Sequence, residues 1–414
     1  MTSDLAAQER PLTLADPAAL ACPFATYDRM RAAGPLYRDP VTQMYVVTDF
    51  ELIRQIAANP ALFSNDTRQL QNRDTPAAAE IRRLLLEADF LPVNTLVTND
   101  PPSHRRYRSL VDKAFNLARV EAAEPRIIEI AGGLIDAFPE APFDVVAALA
   151  VPLPVRMIAE LLGVPAEMGA DFKRWSDATL EAADVNIAPA RQIACVKAQI
   201  EMFQFFWARI EALRQAPQDS LISDLANTSV EGRPLDRHEL TSILLQLLVA
   251  GNETTTNALA WCAERLAADP ELQAQLRARP DRIEAFTEEV LRLHAPLQGL
   301  FRRATRAATL AGTELPEGAI LNLRWGAGNR DAAQFPDPDR IACERSNVTQ
   351  HLTFGFGVHY CLGNRLARAE LQQAVRLLLE RSHVIALAEV EDARVQHGHF
   401  IAYGLSRLML TLRR

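Results

Sequence analysis

The 414-residue chain has only five cysteines, Cys22, Cys195, Cys262, Cys343 and Cys361, scattered and odd in number. Neither a disulfide framework nor a zinc site has that spacing, so a reducing cytoplasm is the expected compartment. A bilayer-spanning apolar run is missing, because Pro152, Pro154 and Arg156 interrupt the stretch from Val145 to Leu162. Residues Met1 to Pro17 lack the apolar segment of a signal or anchor. Basic residues are in deficit, 44 Lys plus Arg against 52 Asp plus Glu, and the resulting charge of −8 argues against nucleic acid as a bulk partner. There is no internal repeat and no low-complexity tract. What is present is a globular composition, 49% hydrophobic and 23% charged, sufficient for a sizeable core.

The most informative stretch is Phe354-Gly355-Phe356-Gly357-Val358-His359-Tyr360-Cys361-Leu362-Gly363. Its glycines permit tight backbone and close approach of a bulky flat ligand. After it, Leu362, Leu366, Ala369, Ala374, Leu377 and Leu378 recur at helical spacing, which predicts a helix beginning at the cysteine. A thiol at a helix N-terminus is biased toward thiolate, the form that binds metal. Taken alone, Cys361 also fits a buried structural cysteine.

Phe-Gly-x-Gly-x-His-x-Cys-x-Gly resembles the haem-binding loop of the cytochromes P-450. The resemblance implies that Cys361 is the axial ligand of haem iron, and that Phe354, Gly355, His359 and Gly363 surround the cofactor. It extends to three further segments. Asp100-Pro101-Pro102-Ser103-His104 opens a helix in which His104 and Arg108 share a face. By themselves they fit an exposed basic face; by resemblance they meet the haem propionates, together with Arg302 and His359. The run from Leu235 to Ala268 is the longest helical pattern, with Asp236 as N-cap. Its centre, Ala250-Gly251-Asn252-Glu253-Thr254-Thr255-Thr256, is poor helix material, suited to a ligand's approach and a local opening of the helix. A polar kink without ligand is the alternative in isolation. Resemblance makes it the oxygen-binding segment, with Ala250 and Gly251 against the cofactor, and Glu253 and Thr254 managing proton delivery. The third segment is Glu289-x-x-Arg292, an ordinary solvated pair by itself. In the family it is a buried structural network, completed here from Phe335-x-x-Pro338-x-Arg340 by Arg340.

The implied fold is mainly α, a single domain over 1–414 with a smaller β-rich part, and haem b between the long helix and the cysteine loop. The implied activity is insertion of one oxygen atom of dioxygen into an apolar organic substrate. Gln246, Val249, Ala250 and Glu253 are spaced to line one helix face. With Leu297, Leu300 and Phe400, Gln246 and Val249 are the expected pocket residues. Two alternatives stand beside the monooxygenase: a peroxide-using or isomerising haem-thiolate enzyme, and a non-catalytic haem or ligand carrier. The chain has no flavin- or nicotinamide-binding domain, so electrons from NAD(P)H are expected through a [2Fe-2S] ferredoxin and its reductase. Arg105, Arg106, Lys113, Arg365 and Arg368 form a basic docking patch in this reading, and the protein is expected to be monomeric.

Several local expectations follow from pattern alone. Leu36 to Arg38 and Met44 to Val47 read as a hairpin, and Ala308 to Leu310 with Ala319 to Leu323 as a small sheet. Asn65 to Leu96 reads as a mobile loop over a site. The segment Phe172 to Arg214, with Met202, Phe203, Phe205, Phe206 and Trp207, is a lid by resemblance, its aromatics core rather than pocket. His397-Gly398-His399 reads as a turn rather than a metal site.

Overall fold

A computed structural model describes residues 11–67, 76–182, 184, 187–230 and 232–414. Eight of its helices frame the site: α1 (Ser103–Val111), α2 (Leu117–Asp136), α3 (Pro152–Leu162), α4 (Gly169–Glu181), α5 (Pro189–Gln215), α6 (Arg237–Ala268), α7 (Ile283–Leu293) and α8 (Asn364–Glu380). The largest, α6, has 32 residues, 21 of them buried, and its neighbours include α3, α4, α5, α7 and α8. A helix surrounded on all sides needs no amphipathic stripe, which is why an all-round apolar sequence forms it. Its N-terminus is fixed by a capping box: Asp236 accepts from the His238 and Glu239 N–H groups, and Glu239 reaches back to the Asp236 N–H.

The five-stranded sheet is mixed. Strand β1 (Leu36–Arg38) runs antiparallel to β2 (Tyr45–Val47), as the hairpin pattern predicts. Across from it, β3 (Phe63–Ser64) pairs with β4 (Leu300–Ala304), and β4 with β5 (Ile320–Leu323). Strand β5 lies parallel to β2, so the order is β1-β2-β5-β4-β3. This corrects the small-sheet expectation: Ala308–Leu310 pairs with Thr313–Leu315 in its own hairpin, while the alternating buried residues Leu321 and Leu323 carry β5 into the larger sheet. A second sheet, β6 (Val384–Leu387), β7 (Arg394–His397) and β8 (Gly404–Arg413), closes the C-terminal end.

The expected loop from Asn65 to Leu96 is only partly irregular. A helix spans Ala78–Glu87, where Glu80 and Glu87 both pair with Arg83, and residues 68–75 lie outside the described part. On α5, Met202 and Phe206 are buried in a cluster with Phe172 and Trp175, and Phe203 is buried against Phe90, contacts that make them core. The expected turn is shorter than His397–His399: His397 ends β7, and the His399 Nδ1 accepts the N–H groups of Ile401 and Ala402. Among the described residues no cluster of metal-ligand type occurs, and no helix is long and apolar enough to cross a membrane.

Candidate active site

The loop before α8 is shaped by two glycines. Gly355 and Gly357 have φ of 72° and 76°, the left-handed region that side chains resist. A Cβ on Gly357 would stand 2.8 Å from the Ala57 carbonyl oxygen, so only glycine lets the loop pass there. The Cys361 N–H donates to the Phe354 oxygen at 2.8 Å and closes the turn. Helix α8 begins at Asn364, three residues past the cysteine, with Gly363 as its cap. The helix therefore begins about one turn later than the expected start at Cys361, which leaves N–H groups of Gly363 and Asn364 turned toward the sulfur. Burial pushes the Cys361 thiol up; the Gly363 N–H, then Arg108, Arg368 and the Asn364 N–H, draw it back toward thiolate.

Opposite the loop stands the middle of α6. Between them lies an empty volume of about 1530 Å³, part of it open to solvent. Gln246, Ala250, Gly251, Thr254 and Thr255 line this space, and Cys361 lies on its wall. The Thr254 hydroxyl donates to the Ala250 carbonyl at 2.7 Å, as expected of a threonine there, yet the helix runs unbroken through Gly251. The glycine serves packing as well: a Cβ would come within 3.1 Å of Ile158 Cδ1 on α3.

One end of the cavity is cationic. Arg302, on β4, is 3% exposed and faces no carboxylate of its own; burial, opposed by Asp100, pulls its pKa down to about 10. Asp100 is engaged elsewhere, accepting from Ser64 Oγ at 2.5 Å and the Asn65 N–H at 2.9 Å. His104 and His359 stand with ring centroids 4.3 Å apart. Among the described residues, His104 Nδ1 and His359 Nε2 are buried without a hydrogen-bond partner. Burial, then His104, Arg302 and Arg108, push His359 down to about 3. Arg108 touches the cavity and donates to the Tyr360 carbonyl at 2.9 Å, so α1 is tied to the cysteine loop. Arg108 also pairs with Asp112 at 2.7 Å, whereas Arg302, His104 and His359 have no carboxylate partner among the described residues, and such a cluster fits a group that brings two carboxylates. The residues present therefore fit haem, whose propionates Arg302, His104, Arg108 and His359 would hold.

Glu253 does not face this cavity. It points to the other side of α6, into a separate polar cavity shared with Lys173 and Asp177 of α4. Lys173 Nζ is 3.3 Å from Glu253 and also bonds Asp177. Burial raises Asp177 to about 6, opposed by Lys173 and assisted by the Glu253 charge. The reason is angular: Gln246, Ala250 and Thr254 recur every four residues along the cavity face, while Val249 and Glu253 lie about 100° around the helix from Ala250 and Thr254. Val249 is accordingly off the cavity wall. Phe400 is off it too, buried against Phe301 at 6.3 Å between centroids and presenting its carbonyl to Arg324. Leu297 and Leu300 do line the space, as do Phe354, Gly355 and Gly363.

Glu289 and Arg292 form a fully buried pair at 2.7 Å. Their third partner is Arg345, 3.0 Å from Glu289, and not Arg340, whose exposed side chain pairs with Glu344 and which contributes only its carbonyl to Arg292. In the basic patch, Arg105, Lys113 and Arg365 are exposed, whereas Arg368 is held by Glu288 at 2.7 Å and stacks over Phe354. Sequence reading also passed over Asn65, Leu96 and Val97 on the cavity wall, and Glu370, a buried carboxyl on α8 that lines it. Only Glu370 carried a signal, as an acid on the apolar side of a helix.

A cysteine whose sulfur is met by two backbone N–H groups, across a cavity from a helix and beside an anion-seeking end, has the layout of a haem-thiolate protein. The sequence profile of the family described as Cytochrome P450 matches residues 189–407. The cytochrome P450 monooxygenase PikC of Streptomyces venezuelae is 36% identical over 400 residues, covering 95% of this chain and 91% of that one. The vitamin D(3) 25-hydroxylase of Pseudonocardia autotrophica is 33% identical over 402 residues, 94% of each chain. Among solved structures, cytochrome P450 CREJ in complex with (4-ethylphenyl) dihydrogen phosphate superposes with a TM-score of 0.89 at 28% identity, covering 95% of this chain and 98% of that one. The chain belongs to the cytochrome P450 family. Its activity is that of a monooxygenase, with haem b as cofactor and NAD(P)H supplying electrons through redox partners.

Proposed function

We propose that this monooxygenase oxidises an apolar organic substrate held between α6 and Leu297 and Leu300, and takes its electrons from a [2Fe-2S] ferredoxin docked on the cysteine face. The carrying observation is the meeting of Cys361 with the buried Arg302 and with His104 and His359, each holding an unpartnered ring nitrogen among the described residues, around one cavity. Cys361 would ligate the iron, and Arg302, His104, Arg108 and His359 would hold the propionates. Haem b supplies dioxygen activation and insertion of one oxygen atom.

The chain supplies dryness, orientation and protons. Leu96, Phe115, Leu247 and Leu297 keep the substrate side apolar. The Thr254 hydroxyl, oriented by the Ala250 carbonyl, is the last protein proton donor. Glu253 draws on the other side of the helix: the Lys173–Asp177 cluster meets the second cavity, and Glu253 carries a proton from there toward Thr254. Arg105, Lys113 and Arg365, exposed on α1, just beyond its C-terminus and on α8, present positive charge to an acidic carrier.

The test is reconstitution. Purified holoprotein with ferredoxin, reductase, NADPH and a panel of apolar compounds yields an oxygenated product, and the reduced carbon monoxide complex shows a thiolate-ligated Soret band that Cys361→His abolishes. A histidine-like band in the wild type, or turnover with peroxide but none with dioxygen and ferredoxin, overturns the reading.

A further inference from the structure

Two amide side chains face the cavity on its substrate side, and they differ in what they have left to offer. Gln246 is fully used. Its Oε1 accepts the Val97 N–H at 2.7 Å, and its Nε2 donates to Thr95 Oγ1 at 2.7 Å and to the Ser242 carbonyl at 3.3 Å. One turn earlier, Ser242 Oγ accepts the Val93 N–H at 3.1 Å, so the segment 93–97 is stapled along α6. A glutamine that looks like a substrate contact is instead a fastening.

Asn65 is half used. Its Nδ2 donates to the Val97 carbonyl at 2.9 Å, which fixes the orientation of the amide, and its own N–H is held by Asp100. The peptide of Val97 is thus gripped by Gln246 and its carbonyl by Asn65. Among the described residues the Asn65 Oδ1 has no partner, although the residue is only 5% exposed and lies on the cavity wall. A buried acceptor without a donor is costly to leave alone. An anion held by Arg302 does not satisfy it, because two acceptors repel. Glu370, whose Oε2 is also unpaired, belongs to α8, the helix that leaves the cysteine loop.

We propose that Asn65 is a specificity-determining residue: its Oδ1 receives a hydrogen bond from a hydroxyl or N–H of the substrate, so the substrate class is a largely apolar molecule bearing one donor. This rests on the haem reading above and narrows it. The wall also carries the apolar Leu96, Phe115, Leu247, Leu297 and Leu300, beside the Thr254 hydroxyl, which is committed to the Ala250 carbonyl. Donor-bearing substrates are favoured over their ethers and ketones, which set acceptor against acceptor.

The test uses probes that anchor themselves on iron through an imidazole nitrogen: 1-(ω-hydroxyalkyl)imidazoles in a graded series of chain lengths, each with its ω-methoxy counterpart, which keeps the oxygen and loses the donor. Binding to the holoprotein is read from the Soret shift. At the length that reaches Asn65 the hydroxyl probe binds about tenfold tighter than the ether, the size of one hydrogen bond to a buried group. Asn65→Leu abolishes that preference, whereas Gln246→Leu, which loosens the same segment but leaves Oδ1 intact, keeps it. Equal binding of both probes at every length overturns the proposal, as does a preference that survives Asn65→Leu. If Asn65→Leu loads no haem, the wild-type comparison decides alone. Absence of any Soret shift with either series is the separate failure of the haem reading.

Discussion

Arg345 Nε donates to Glu289 Oε1 at 3.0 Å and completes a buried network that α7 cannot form alone. Arg292 donates to both Glu289 oxygens, at 2.7 and 2.9 Å, and its remaining N–H groups reach the carbonyls of Asn329, Pro338 and Arg340. The Ala342 N–H also bonds Glu289, at 2.8 Å. One carboxylate thus pins the irregular chain that runs toward the cysteine loop, and Thr353 Oγ1, donating to the Leu291 carbonyl, pins its last part.

Removing one partner of a buried network strands the other, so Arg345→Leu should cost about 3 kcal/mol of unfolding free energy and lower haem retention. Arg340→Ala should stay within about 0.5 kcal/mol of wild type, because its side chain is exposed. Urea unfolding of the two holoproteins separates them; equal losses would make Arg340 the third member after all.

Much of this was legible in the sequence, and what was not has physical causes. The cysteine loop was readable because glycines at positive φ and a following helix are local features. The N-cap at Asp236 was readable for the same reason. Val249, Phe400 and Arg340 were misassigned because each needs a rotation angle or a packing partner that spacing does not supply. Val249 is one residue from Ala250 yet about 100° away around the helix. Arg340 and Arg345 are both near Phe335, and only the folded turn decides which guanidinium returns to Glu289. Asn65 was invisible because its meaning depends on Val97 and Gln246, which are remote in sequence.

The hydroxyl of Thr254 is tied to Ala250 and lies on the cavity wall, so Thr254→Ala removes a proton donor without emptying the core. Product formed per NADPH consumed should fall by about tenfold or more, with oxygen uptake maintained, and Thr254→Ser should restore coupling. Unchanged coupling in Thr254→Ala removes the residue from proton delivery.

Asp177 and Glu253 share Lys173, and Asp177 is raised to about 6 by burial. A protonated donor is present below that pH and lost above it. Coupled turnover should therefore decline as pH rises through about 6, and Asp177→Asn should flatten the profile. A profile with the same inflection in the variant would assign the titration to another group.

If an acidic carrier docks beside the cysteine loop, Arg105→Glu with Arg365→Glu should slow ferredoxin reduction at least about tenfold and weaken its dependence on salt. Both side chains are exposed, so stability should hardly change. Arg368→Glu should instead destabilise the fold, since it sets a carboxylate against the buried Glu288. Stopped-flow reduction at two ionic strengths decides between docking and an ordinary solvated face.

Glu370 gives the sharpest pH signature of the fold itself. It is 2% exposed, its Oε2 has no partner, and burial lifts its pKa to about 8 from an ordinary 4.5. The unfolded chain releases this proton near 4.5 and the folded chain holds it to about 8. Relative stability is therefore highest below the lower value and falls as pH rises between the two. It is flat again above the upper value. Glu370→Gln keeps the shape and cannot ionise. Its advantage over wild type should be close to zero at low pH and grow to the order of 3 kcal/mol at pH 7. Urea unfolding across that range measures the difference directly, and parallel curves for the two proteins would show that Glu370 is ionised and hydrated in the folded state.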